Sequence, residues 1–432
     1  IVMFMYALNG LNHHTHGQVP SFPMGWSLGP IMTEEPWRYL HHSIKNVNHI
    51  YFILVGMAFF MPNRVGFSVW FITIAYGIYE MFIRAYTPDF NRGMVHDHRN
   101  GAMIALAVMV LYLSRHHWRR VAGLLLRRVH NDADRLLKVS GWMVVTGAAG
   151  MFLWLQWAGV PWIWAFVFVF LGFMISLLIA RIVAETGLPF VRVVGLNPIY
   201  FMAMLPGTWL TGAAIYMAGF ISIIFPMGSR VSAAVMASHA AGVDEKASAK
   251  HQLRIGYLMI GLLLTGLVVC GAVHLTMGYS QPYTLDGQAA PINQWGTTRM
   301  RGPQNDLMRW ADGAWANPSG RLGNLTFGLV LAGGLQGACM MIPRWPLHPI
   351  GLLLVGNFYG RMAWASIMFG WLAKVALLQY GGAGAYRRMK PVFLGLIMGE
   401  VFSAVIWTLV PVGLLLLGHD PADVGHIPLL PR

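Results

Sequence analysis

The apolar positions of this chain fall in runs of about twenty rather than in the ten-residue alternation of an outer-membrane barrel. A run of that length is enough for a helix to cross roughly 30 Å of hydrocarbon. Residues 66–86, 101–114, 139–158, 160–183, 255–277, 323–342, 358–380 and 391–417 read as spans, the third and fourth joined by little more than Gly159. The stretch 198–227 carries Pro206 and Gly207 in its middle, which predicts a broken or re-entrant helix, because proline removes a backbone donor that lipid cannot replace. Shorter apolar runs lie at 50–61, closed by Pro62, and at 348–356. The pattern predicts an all-α, polytopic transmembrane helix bundle of about eight full spans with two or three short, broken or re-entrant segments, organised as a single integral membrane domain over 1–432.

Between the runs, 10–46 is a polar loop rich in Gly, His and Pro, and 115–138 is a basic amphipathic segment suited to a membrane surface. Residues 228–254 are polar and Ala-rich, and predict a helix. The interval 278–322, with Trp295, Trp310 and Trp315, is a large Trp-rich extramembrane loop. The cations Arg115, Arg119, Arg120, Arg127, Arg128, Arg135 and Lys138 outnumber Asp132 and Asp134, so the positive-inside bias puts this segment in the cytoplasm. By the same bias the basic loops 228–254 and 384–390 prefer the cytoplasmic side, which requires some of the short segments to be re-entrant. The chain starts at Ile1 without a basic, cleavable leader, and reads as lacking an N-terminal part of a longer protein.

Composition agrees: 56% of residues are apolar and 11% charged. The formal charge of +14 sits between the spans, where anionic headgroups account for it, so nucleic acid is not an expected partner. Expected partners are the lipid bilayer and, left open, a second copy of the chain or a larger membrane complex. Cys270 and Cys339 form neither a disulfide framework nor a zinc knuckle.

Candidate chemistry begins with Glu400, the one ionisable group between 391 and 417. An acid at that depth is costly, faces the bundle interior and has a polar partner, for which Lys374 on the preceding span is the candidate. A buried structural pair, a neutral Glu400 with Lys374 reaching out to the nearby interface, and a role in substrate or proton coupling all remain open. Gly395 and Gly399, at GxxxG spacing, would let another helix approach on a neighbouring face. Arg181 and Glu185 stand at i and i+4 before Gly187 and Pro189, spaced for an ion pair at a helix end or for a cavity-lining carboxylate. Asn357, Tyr359 and Arg361, between Gly356 and Gly360, suit either the turn of a re-entrant hairpin or an interfacial loop.

The 17 histidines sit mostly in loops or at span ends. HHTH at 13–16 and HDH at 96–98 are loop residues on this reading. No metal site or cofactor is expected, because His96 and His98 lack further ligands and His274 lacks an axial partner. No phosphate loop, dinucleotide fingerprint, zinc-protease helix or nucleophile elbow stands in its structural context, so an enzyme is not expected.

The segment FYGRMAWASIMFGWLAKVALLQYGGAGAYRRMKPVFLGLIMGEVFSAVIW resembles the closing helices of the oligopeptide transporter superfamily, including its metal-chelate branch. There a Gly-rich basic turn leads into a helix of the type P-x-x-x-GLI-x-GE, a pattern occupied here by Gly381, Gly382, Arg387, Arg388, Pro391, Gly395, Gly399 and Glu400. The resemblance is specific over about 60 residues, strongest over 356–407, and architectural elsewhere. It implies re-entrant hairpins and proton-coupled uptake of small peptides or metal chelates in a bacterial inner membrane. The peptide-binding motifs of the characterised branches are not found, and that family has more spans. The alternative is a non-transporting scaffold subunit of a larger membrane assembly, with a pigment, haem or quinone between its helices.

Overall fold

The computed structural model describes residues 1–418 apart from 16, 46–47, 88–89, 91, 189–190, 192–197, 203–204, 225–227, 230–231, 244–247, 281–304, 306, 309–318 and 356–357. In chain order the helices are α1 (Val2–His14), α2 (His42–Lys45), α3 (Phe52–Phe60), α4 (Asn63–Tyr86), α5 (Arg92–Leu113), α6 (Arg115–Leu125), α7 (Asp132–Trp157) and α8 (Trp162–Thr186). They continue with α9 (Pro198–Met202), α10 (Gly212–Ile224), α11 (Ala233–Val243), α12 (Ala249–Ser280), α13 (Ser319–Met341), α14 (Ile350–Val355), α15 (Phe358–Tyr380) and α16 (Gly382–Leu416). Among the described residues the strands are β1 (Gly25–Trp26) and β2 (Asn48–His49), an antiparallel pair. The fold is all-α. Among the described residues six helices, α4, α7, α8, α12, α13 and α16, are long and apolar enough to cross a membrane.

The chain divides into two compact units. The first comprises Ile1–Ala102, Ile182–Val193 and Val330–Arg432. At its centre stands α3, whose nine residues are too few to span hydrocarbon, packed along α15 and α16. Close approach is made possible by glycine. A Cβ at Gly370 of α15 would strike the Val55 carbonyl of α3, and one at Gly56 of α3 would lie 2.7 Å from the Phe393 carbonyl of α16. Phe59 stacks on Phe393 with ring centres 3.8 Å apart. The still shorter α14, all six residues buried, lies against α4. The loop before it is tied down by Arg64, whose guanidinium donates to the Pro343 carbonyl at 2.8 Å, and by Ser68, which accepts from the His348 amide at 2.7 Å.

The polar stretch 10–46 is more structured than its composition predicts. Its first residues, His13 and His14 included, finish α1, and His14 stacks on Trp407 at 5.7 Å. Downstream, Leu40 and Ile44 are buried against Met81 and Trp364. Of the GxxxG pair, Gly399 meets Val2 of α1, whereas Gly395 meets nothing.

The second unit comprises Met103–Arg181 and Val194–Leu329. The α7–α8 turn is as tight as expected, because Gly159 takes φ +84, a left-handed conformation that costs other residues a Cβ clash. The region around Pro206 is broken: α9 ends at Met202, a 3-10 turn covers Gly207–Trp209, and α10 starts at Gly212. This break packs on α8 through Trp164, Phe168, Met202, Ile215 and Leu307, and the Trp164 indole donates to the Trp209 carbonyl at 3.0 Å. Trp295, Trp310 and Trp315 lie outside the described residues.

Two sequence expectations are corrected. The HDH stretch is not a loop but the first half of α5, because the side chains of 97–100 are buried and helical backbone satisfies its own polar groups there. The basic stretch 384–390 is likewise helical and continuous with the last span, since Ala, Arg, Met and Lys favour helix and Pro391 is accommodated inside α16.

Replacing Gly370 by Ala should force α15 away from α3 and lower stability by about 1–3 kcal/mol. Gly147→Ala on α7, where a Cβ meets nothing within 4 Å, should leave stability equal or slightly higher. Thermal unfolding of both variants in detergent checks the contrast, and equal effects would contradict this packing.

Candidate functional site

The site is organised by the two ends of α3. A helix leaves its first amides and last carbonyls without intrahelical partners, and the aligned peptide dipoles make the first end positive and the last negative. Water normally serves both ends. Inside an apolar bundle, side chains must do so.

At the amino end the partner is Glu400 of α16, fully buried. Its Oε2 accepts from the Ile53 amide at 2.5 Å, and the Phe52 amide also bonds to the carboxyl. Its Oε1 accepts from the Tyr6 hydroxyl of α1 at 2.8 Å. The preceding amide, Tyr51, donates to the Ser366 hydroxyl of α15 at 2.9 Å, and that hydroxyl turns to the His49 carbonyl at 3.4 Å. Burial holds the His49 imidazole below its usual range, so it stands neutral beside Tyr51, ring centres 4.6 Å apart.

At the carboxyl end the partner is Lys374 of α15, whose ammonium donates to the Met61 carbonyl at 2.5 Å. Met61 is the residue that closes α3. Lys374 is nearly buried, and its ammonium lies 5.7 Å from the centre of the Tyr386 ring, a cation–π distance.

The expected Glu400–Lys374 partnership is therefore replaced by a different one. The two groups serve opposite ends of a nine-residue helix, about 13 Å apart at 1.5 Å per residue. Each answers the pole of opposite sign, so the complementarity that suggested mutual pairing runs through the helix between them.

The other sequence candidates fall elsewhere. Glu185 sits near the end of α8, where Gly187 at φ +68 stops the helix, and its carboxylate lies 3.8 Å from Nε2 of His348. Arg181 is exposed one turn earlier. Asn357 lies outside the described residues; Tyr359 and Arg361 belong to the first turns of α15, and their side chains are not among those described.

A second polar centre in the first unit escaped the sequence reading. Glu80 of α4 is almost completely buried and accepts from Arg84 at 2.5 Å. Beside it on the same helix, the Tyr76 hydroxyl shares a 2.9 Å hydrogen bond with Nδ1 of His98. Asp97, His98, Arg99 and Asn100 of α5 are all buried. The signal that could have found it is Glu80 itself, a second acid inside an apolar run, with Arg84 at i+4. Among the described residues no group of three or more His, Cys, Asp or Glu is placed to hold a metal ion.

Six apolar helices of spanning length define a multi-pass α-helical membrane protein, and in its first unit the short helix α3 has both ends served by buried side chains. More specifically, the chain belongs to a family described as a family of unknown function, DUF6785, whose model matches residues 1–416. No curated protein and no solved structure matches it.

Removing the Glu400 carboxyl altogether strands two backbone amides and a hydroxyl in an apolar interior, so Glu400→Ala should cost about 3 kcal/mol or more, while Tyr6→Phe, which removes one hydrogen bond, should cost about 1 kcal/mol. Urea or thermal unfolding in detergent measures both. A smaller loss for Glu400→Ala than for Tyr6→Phe would contradict the capping geometry.

Proposed function

We propose that the chain is a proton-coupled transporter of the bacterial inner membrane that takes up small peptides or metal chelates, with Glu400 as the proton-responsive group. In this reading the full complement is about eight spans, with α3 and α14 in the first unit and the α9–α10 break in the second as short or re-entrant elements. One observation carries the proposal: the two oxygens of Glu400 face different kinds of partner. The Ile53 amide can only donate, but the Tyr6 hydroxyl can donate to a carboxylate or accept from a carboxylic acid. The side chain can thus take up a proton without losing a hydrogen bond. Protonation would nevertheless remove the negative charge that faces the positive end of α3 and loosen the short helix against α16. Proton uptake and movement of a discontinuous helix are coupled by that single contact. Full burial of Glu400 supports an occluded conformation, in which α1 or α3 must shift before water reaches the acid.

The scaffold alternative draws support from a different feature. Along α12 none of the apolar core of the helix is buried, and along α7 very little is, so long apolar sides are left for lipid or for neighbouring chains.

Glu400→Gln keeps the size of the side chain and its acceptor oxygen but cannot exchange a proton. In proteoliposomes filled with a pH-sensitive dye and supplied with mixed di- and tripeptides or ferric chelates, the wild type should acidify the lumen down an imposed gradient. The variant should do so at least about a hundredfold more slowly, the lower end of a typical loss on removing an acid–base group. Equal rates in the two would remove Glu400 from coupling. Wild-type vesicles that take up none of these compounds, from a chain that purifies only with other membrane proteins, would favour the scaffold.

A further inference from the structure

In the second unit, the first turns of α7 and α12 lie side by side and open a cleft of about 210 Å³ lined by Asp132, Arg135, Lys250, Leu253 and Arg254. Three basic side chains face one acid. That acid, Asp132, is 3.7 Å from Lys250, so the guanidiniums of Arg135 and Arg254 carry the positive excess. Both helices begin here, and their first amides and positive dipole ends add to the same field.

The surroundings fix the cleft at an interface. The amphipathic helix α6 is fastened to α7 by the Arg120–Asp134 ion pair at 2.6 Å, by Lys138 donating to the Arg127 carbonyl at 2.9 Å, and by the Trp142 indole donating to the Leu125 carbonyl at 3.1 Å. A half-exposed tryptophan bonded in this way marks the headgroup level. Beyond it the flanks turn apolar and stay exposed, with Val144 and Val145 on α7 and Leu258, Leu262 and Leu264 on α12.

We infer that this cleft is a headgroup site for an anionic phospholipid, whose phosphate is held by Arg135 and Arg254 and whose acyl chains lie along the exposed sides of α7 and α12. Guanidinium is the group suited to this task, because its planar fork binds phosphate oxygens in pairs and sheds water more easily than an ammonium. A lipid phosphate and a free phosphate offer the same charge to the cleft. The apolar flanks favour the lipid, since only it has chains to cover them. The basic character of this end also places it at the leaflet where anionic lipids meet positive loops. The site does not depend on whether the chain transports anything.

The test uses the full chain, washed free of lipid in mild detergent and titrated with phosphatidylglycerol, with phosphatidylcholine and inorganic phosphate as separate arms. Bound lipid is read by native mass spectrometry and binding by the shift in unfolding temperature. The wild type should retain phosphatidylglycerol in preference to phosphatidylcholine. The double variant Arg135→Gln/Arg254→Gln should lose roughly thirtyfold in affinity, and Arg127→Gln/Arg128→Gln, with the same loss of charge outside the cleft, less than about threefold. The single variant Arg254→Gln, at an exposed position, should lose about fivefold and serves if the double variant does not fold. Equal losses in the two double variants would reduce the effect to diffuse attraction and overturn the site. Protection by inorganic phosphate equal to that by phosphatidylglycerol would assign the cleft to a soluble anion and overturn the lipid.

Discussion

A short helix inside an apolar bundle has two polar ends and no water to serve them, and the first unit is arranged around that constraint. The amino end of α3 requires an acceptor, supplied by Glu400, and its carboxyl end requires a donor, supplied by Lys374. These come from the two long helices that flank α3 along its length, so the same contacts that bury its apolar sides also complete its backbone. Ser366 repeats the arrangement one residue earlier, at the Tyr51 amide. In lipid an unserved amide or carbonyl costs several kcal/mol, which is enough to decide whether α3 stays in place.

The same constraint explains why glycine appears where it does in this unit. Side chains as short as serine, or aimed as narrowly as a buried carboxylate, reach a helix end only when the helix axes are close. Gly370 and Gly56 remove the methylene that would keep α15 and α16 away from α3. Packing and polar satisfaction are therefore one requirement here. The second unit has less of this: α7 and α12 are simple long helices with apolar sides, stabilised by their own backbone hydrogen bonds and left for lipid to cover.

Much of the architecture was legible because hydrophobic length is a one-dimensional property. The run lengths marked α4, α7, α8, α12, α13 and α16, Gly159 marked the tight turn, and Pro206 with Gly207 marked the break before α10. Glu400 was legible as an anomaly, since a lone acid in an apolar run demands a partner. The identity of that partner was not. Its main donors are backbone amides of a segment 347 positions away, and sequence carries no mark for which amides are left over at a helix start. The opposite charge that stands out is the one inside the preceding span, Lys374. The centre formed by Glu80, Tyr76 and His98 was hidden differently: HDHRN has the composition of a loop, and only the facing residues of α4 make it a buried helical surface.

The 347-residue separation between Ile53 and Glu400 has a consequence for how the protein is made. Synthesis at about 5–20 residues per second leaves roughly 17–70 seconds between the emergence of one and the emergence of the other. For that interval the nascent α3 has no carboxylate to complete it. Its amino end must be held at the wet boundary of the insertion machinery or of the bilayer, and it settles into its final depth only after α16 has left the ribosome. The placement of α3 therefore waits for α16, which is made long after it.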